Sequence, residues 1–175
     1  MDERKWIERI LAGDTQSFSC LVAKYEKMAY TIALRILENR EEAEEAVQDA
    51  FVKMYRALSD FHFDSKFSTW FYRIVYRTAL TALRQQRMFV SYEEAGPVDL
   101  SNDEVESATA LLEREDRKEM IARTLKKLPA DEALLLTLYY LEECSVEEIC
   151  QITELSASNA VSYTHLRAHE TLRHL

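Results

Sequence analysis

The chain has 175 residues, 47% hydrophobic and 30% charged, enough to bury a core in one domain or two small ones. Two glycines, two prolines and few β-branched runs argue against tightly turned sheets and for an all-helical fold. The net charge of −9 confines any DNA contact to a local patch and leaves acidic surface for another partner.

No apolar stretch approaches the roughly 20 residues of a membrane span, and no signal peptide opens the sequence. Cys20, Cys144 and Cys150 are odd in number and include no CxxC pair. They read as reduced thiols of a cytoplasmic protein without a metal site.

The periodicity predicts a short helix from Asp2 to Ala12, with Trp6, Ile7, Ile10 and Leu11 on one face. Gly13 ends it, and Asp14 or Thr15 caps the next. There Phe18, Leu21, Val22, Tyr25, Met28, Ala29, Ile32, Ala33 and Ile36 follow the three-four spacing of a core stripe. A third helix is expected from Asn39 or Arg40 to about Leu58, its apolar face made by Ala43, Ala46, Val47, Ala50, Phe51, Met54 and Leu58. The acids Glu41, Glu42, Glu44, Glu45 and Asp49 crowd its first half. The helix dipole favours acids there, yet five exceed what capping needs. A face carrying Gln48, Asp49, Lys53 and Tyr55 among them suits a basic protein partner, although a solvated face is the commoner meaning of a charge run.

Phe61 to Arg87 is the densest chemical signal. Phe61, Phe63, Phe67, Trp70, Phe71, Tyr72 and Tyr76 lead into a basic helix for which Ser68 is a good N-cap. At about 100° per residue, Arg73, Arg77, Arg84 and Arg87 fall within an arc of roughly 80°. With Lys66 they make five cations against one acid, Asp64. Guanidinium groups neutralise phosphates, and aromatic faces stack on unpaired bases. The pairing suits DNA whose strands are being separated. Trp70, Phe71, Ile74 and Val75 sit at core spacing and are expected mostly to be buried. Phe61, His62 and Phe63 precede the helix and are the better candidates for base contact.

From Met88 to about Ala110 the periodicity fades. Six acids and no Lys or Arg lie between Met88 and Glu113, with a break at Gly96-Pro97. This reads as a flexible acidic linker, residues 89–112, between domains at 1–88 and 113–175. In the second domain Met120, Ile121, Thr124, Leu125 and Leu128 form a stripe that Pro129 stops. Asp131 then caps a helix burying Leu134, Leu135, Leu138, Tyr139 and Leu141. Ser145 and Glu148 spell a capping box for a helix at Val146–Ile152. A turn through Thr153–Ser156 and a cap at Ser156 or Ser158 give helix-turn-helix spacing.

The order AEEAVQDAFVKMYRAL and then FHFDSKFSTWFYRIVYRTALTALR resembles the second conserved domain of bacterial sigma factors of the extracytoplasmic-function (ECF) group. LPADEALLLTLYYLEECSVEEICQITELSASNA resembles their fourth domain. The resemblance implies two helical domains, the second with a helix-turn-helix, that bind core RNA polymerase and promoter DNA and act without a cofactor. It assigns polymerase contact, or packing support for it, to Glu44, Gln48, Asp49, Phe51 and Tyr55. Phe61, Phe63, Asp64, Lys66, Trp70, Arg73, Arg77 and Arg84 go to the minus-ten element. Ser156, Ser158, Asn159, Ser162 and Arg167 go to minus-thirty-five recognition. It implies a linker that threads toward the RNA exit path, and an anti-sigma protein as a partner.

The last segment departs from this pattern. Val161 and Tyr163 stand where contacting cations are expected, and Thr164 where a buried leucine is expected. The residues after Asn159 therefore read as atypical, like the product of a frameshift, truncation or chimeric read. His165 and His169 are four apart, but no acid or Cys completes a metal site. A stand-alone helix-turn-helix regulator or protein-interaction module is the competing class. Such a regulator needs neither the acidic helix nor the Phe61–Phe71 aromatics. With no Ser/His/Asp set and no phosphate loop, an enzyme is a poor third.

Overall fold

The computed structural model describes residues 3–90 and 130–156, and among them every regular element is a helix. The first part holds α1 (Glu3–Leu11), α2 (Thr15–Leu37), α3 (Arg40–Ala57), a 3-10 turn (Leu58–Asp60) and α4 (Phe67–Val90). The second holds α5 (Ala130–Tyr140) and α6 (Val146–Thr153). The all-α expectation is met. Most of the linker, the expected helix ahead of Pro129, and the tail with Ser158, Asn159, Ser162, Arg167, His165 and His169 lie outside the described residues.

Local chemistry sets the helix ends. Gly13 takes φ +97, and its N–H reaches the Ile10 carbonyl at 2.9 Å to close α1. Asp14 caps α2: its carboxylate accepts from the Gln16 N–H at 3.0 Å and the Ser17 hydroxyl at 2.9 Å, and pairs with Arg9 at 2.8 Å. Asn39 caps α3 through the Glu42 N–H. At the other end of α2, Glu38 adopts a left-handed φ of 53 and its N–H bonds the Leu34 carbonyl. Glu154 ends α6 in the same way, with φ 62.

Four helices of the first part bury the expected stripes: Ile7 and Ile10 from α1, Leu21, Tyr25 and Ile32 from α2, Ala50 and Met54 from α3, and Phe71 and Val75 from α4. Side-chain bonds also tie α3 to α4, from Lys53 to the Thr78 hydroxyl at 3.3 Å and from Gln86 to Glu42 at 3.0 Å. Three expectations are corrected. Leu11 is largely exposed and Trp6 only half-buried, so α1 buries a narrower face than its pattern suggests. Ser68 lies inside α4, which starts at Phe67, because the Trp70 N–H already bonds the Lys66 carbonyl at 3.1 Å. Asp131 lies within the first turn of α5 rather than ahead of it.

The second part does not stand off from the first. α5 packs on α2 and α6 packs on α4. Leu134, Leu135, Leu138, Ile149 and Ile152 join the same buried cluster as Phe71 and Val75, while Tyr139 is half-buried.

Candidate functional site

The segment between the 3-10 turn and α4 is built on tilted and edge-on ring contacts. Phe61, 7% exposed, lies 4.7 Å from Phe63, 5.0 Å from Trp70 and 5.5 Å from Phe67, centroid to centroid. Phe67 and Phe71 continue the ladder inward to Tyr25 and Phe51. Such ring pairs add roughly 0.5–1.5 kcal/mol each beyond their buried area. Phe61 therefore supports its neighbours from within the ring cluster. Phe63 is the exposed aromatic of the segment and holds a left-handed φ of 61. His62 and Asp64 flank it in solvent, and Trp70 is half-buried. Of the four residues at core spacing, Phe71 and Val75 are fully buried, and Trp70 and Ile74 pack half-buried against them.

On α4, Arg77, Arg84 and Arg87 are exposed and Arg73 is half-buried. This basic side meets the acids of the second part. The Lys66 ammonium pairs with Glu148 Oε1 at 2.9 Å, and the Thr69 hydroxyl donates to the same oxygen at 3.4 Å. The Tyr72 hydroxyl donates to Glu142 Oε2 at 2.8 Å. Arg77 pairs with Glu154 at the left-handed end of α6. Thus three glutamates spaced six residues apart meet four residues of the aromatic-basic stretch, Lys66, Thr69, Tyr72 and Arg77.

The capping box foreseen at Ser145 is present: the Glu148 N–H donates to Ser145 Oγ at 3.2 Å, and Glu148 Oε2 accepts the Ser145 N–H at 2.8 Å. Burial alone would raise the Glu148 carboxyl, but the Ser145 amide and the Lys66 ammonium outweigh it and hold the carboxyl below its ordinary value. Bonding to Glu148 raises Lys66 in turn. Burial, and then the charge and hydrogen bond of Glu142, push the Tyr72 phenol far above its usual range. Cys144 sits among these groups, and burial lifts its thiol to about 11.

A second surface lies on α3. Glu44, Gln48, Asp49 and Tyr55 face solvent together with Val52, and the Tyr55 ring meets Phe18 edge-on at 5.2 Å. Phe51 does not join them. It is 8% exposed, its ring 4.8 Å from Phe71, so of its two assigned roles it holds the packing one. No group of three or more His, Cys, Asp or Glu among the described residues is placed to hold a metal. No described helix is long and apolar enough to cross a membrane. Sequence reasoning missed the long-range roles of Glu142, Glu148 and Glu154 within the chain. The capping box did mark Glu148, but a cap signal says nothing about the second oxygen.

Known protein families match the chain in two stretches. The model for Sigma-70 region 2 matches residues 21–88, and that for Sigma-70, region 4 matches residues 118–166. The chain is 32% identical over 159 residues to the RNA polymerase sigma-H factor of Pseudomonas aeruginosa, covering 87% of this chain and 82% of that one. It is 31% identical over 155 residues to the ECF RNA polymerase sigma-E factor of Escherichia coli K12, covering 85% and 81%. Two solved structures share the fold. The sigma factor RpoE of Bartonella quintana, solved with the anti-sigma factor NepR, gives a TM-score of 0.70 at 17% identity, with 91% and 96% covered. CnrH, solved with the cytosolic domain of CnrY, gives 0.62 at 22% identity, with 98% and 94% covered. Matches through both regions disfavour a stand-alone regulator. With both regions in order and relatives of this similarity along most of its length, the chain belongs to the ECF sigma factors of the sigma-70 family, which bind core RNA polymerase and direct promoter-specific initiation of transcription.

Proposed function

We propose that residues 1–88 dock on core RNA polymerase and open the minus-ten element, that residues 89–112 link them to the remainder, and that residues 113–175 serve the minus-thirty-five element. The observation that carries this reading is the division of surfaces in the first part. α3 turns Glu44, Gln48, Asp49 and Tyr55 to solvent, a set suited to a basic protein face. Phe63, Lys66, Arg77 and Arg84 offer an aromatic ring and cations to DNA. Arg73 and Trp70 flank them half-buried.

In this conformation DNA and α6 compete for Lys66 and Arg77, because Glu148 and Glu154 already hold them. Polymerase docking is the step that parts α6 from α4. The protein acts by binding alone, as an initiation factor without catalysis of its own, in the cytoplasm where polymerase works. An anti-sigma protein, of the kind solved with RpoE, is the proposed regulator.

Co-elution of the full chain with purified bacterial core RNA polymerase tests the docking surface. Wild type is expected to co-elute, and Asp49→Arg to fail while keeping its helical circular dichroism. Full retention by Asp49→Arg removes α3 from the interface.

A further inference from the structure

We infer that Arg4 of α1 is a positioning residue for strand opening, holding Phe63 in the left-handed loop that presents its ring to an unpaired base. The inference rests on the reading of Phe63 as the base-contacting ring. The Arg4 guanidinium lies over the Phe63 ring, 5.0 Å from its centroid, within the reach at which a cation is drawn to an aromatic face. Phe63 is 40% exposed, so this contact is made at a surface where a base could also arrive.

The loop needs such a contact. A left-handed φ of 61 is uncommon for a bulky residue other than glycine and persists only where surroundings fix it. Phe61 supplies one support from below, at 4.7 Å. Arg4 supplies another from a separate element. Its own root is firm: Ile7 and Ile10 anchor α1 in the core, and neighbouring Glu3 binds Lys24 and Tyr25 of α2. Arg4 also donates from Nε to Glu8 at 3.2 Å, an exposed pair one turn along that fixes the direction of the guanidinium but adds little stability. The arrangement thus couples the first helix, to which the sequence pattern assigns no functional role, to the melting loop. Because the guanidinium lies over one face of the ring, a base meeting Phe63 takes its remaining exposed surface and brings its phosphate toward a positive charge.

The test uses the full chain with bacterial core RNA polymerase. The probe is a duplex pool randomised across the minus-ten window, from which the wild-type holoenzyme selects its template. Opening is read as permanganate reactivity of unpaired thymines, and initial binding is read separately at low temperature. Arg4→Ala should lower opening about threefold, the scale of one exposed cation–π contact, with initial binding and melting temperature unchanged. Arg4→Ala/Phe63→Ala should open no less than Phe63→Ala alone, because Arg4 acts through that ring. The inference is overturned if Arg4→Ala opens like wild type, or if the two losses multiply in the double variant. Either result leaves the sigma-factor reading standing as long as wild type opens its template. A wild-type holoenzyme that forms but opens no template overturns both.

Discussion

Glu148 divides its carboxylate between two parts of the chain: Oε1 takes the Lys66 ammonium at 2.9 Å, and Oε2 accepts the Ser145 N–H at 2.8 Å. Removing the two partners should therefore cost unequal amounts. Lys66→Ala deletes one side of a pair whose cation is largely exposed, worth under about 1 kcal/mol. Glu148→Ala also uncaps α6 and should cost about 1–2 kcal/mol. Urea melts of both variants check the order; equal losses would mean that the capping bond contributes nothing.

The same contact has a defined pH window. The depressed Glu148 carboxyl contributes stability that is present above its ordinary value near 4.5 and is lost as pH falls through the depressed folded value. The raised Lys66 contributes stability that is complete below 10.5 and is lost as pH rises through its raised value. Wild type minus Glu148→Gln should thus show a stability difference that is level near neutrality and shrinks at the acid end. A difference that grows on acidification would contradict the assignment.

Cys144 reports whether α6 stays on α4. It is buried and its thiol is lifted to about 11, so little thiolate is present near pH 8. Iodoacetamide at that pH should label exposed Cys20 well before Cys144. High salt weakens the exposed Arg77–Glu154 pair and the Lys66–Glu148 pair, and should speed Cys144 labelling selectively. Peptide mass spectrometry over time distinguishes the sites. Equal rates in wild type at low salt would show the α4–α6 interface to be open.

Phe51 and Tyr55 are one turn apart on α3 and separate packing from docking. Phe51→Ala empties a site against Phe71 and should cost about 3–5 kcal/mol. Tyr55→Ala should change stability far less and instead weaken retention on core polymerase, read by denaturation and co-elution on the same samples.

Arg77→Ala and Arg84→Ala should each weaken promoter binding and reduce the slope of log affinity against log salt by about 0.9 for each phosphate left without its cation. Unchanged slopes in both would remove this side of α4 from the DNA interface. Arg77→Ala should also speed Cys144 labelling, because it frees Glu154, whereas Arg84→Ala should not.

The helices were legible in the sequence because their signals are local. Asp14, Asn39 and the Ser145–Glu148 box are caps written within four residues, and the stripe from Leu21 to Ala33 repeats at the helical period. Burial within the aromatic stretch was only partly legible. Phe61 and Phe63 are chemically alike and two residues apart, yet one is buried in the ring cluster and the other is partly exposed with a positive φ that no local spacing announces. Least legible were Glu142, Glu148 and Glu154. Their partners lie 70 to 82 positions earlier in the chain, and no spacing rule reaches across that separation.

The left-handed ends of α2 and α6 place a glutamate where glycine would sit without strain. At Glu38 a change to glycine relieves the backbone at the helix terminus. At Glu154 the same change would relax the end of α6 but delete the carboxylate that grips Arg77. Local comfort of the second part and its hold on the first thus pull in opposite directions at one residue, so a variant selected only for a more stable α6 would be a looser clasp on the basic helix.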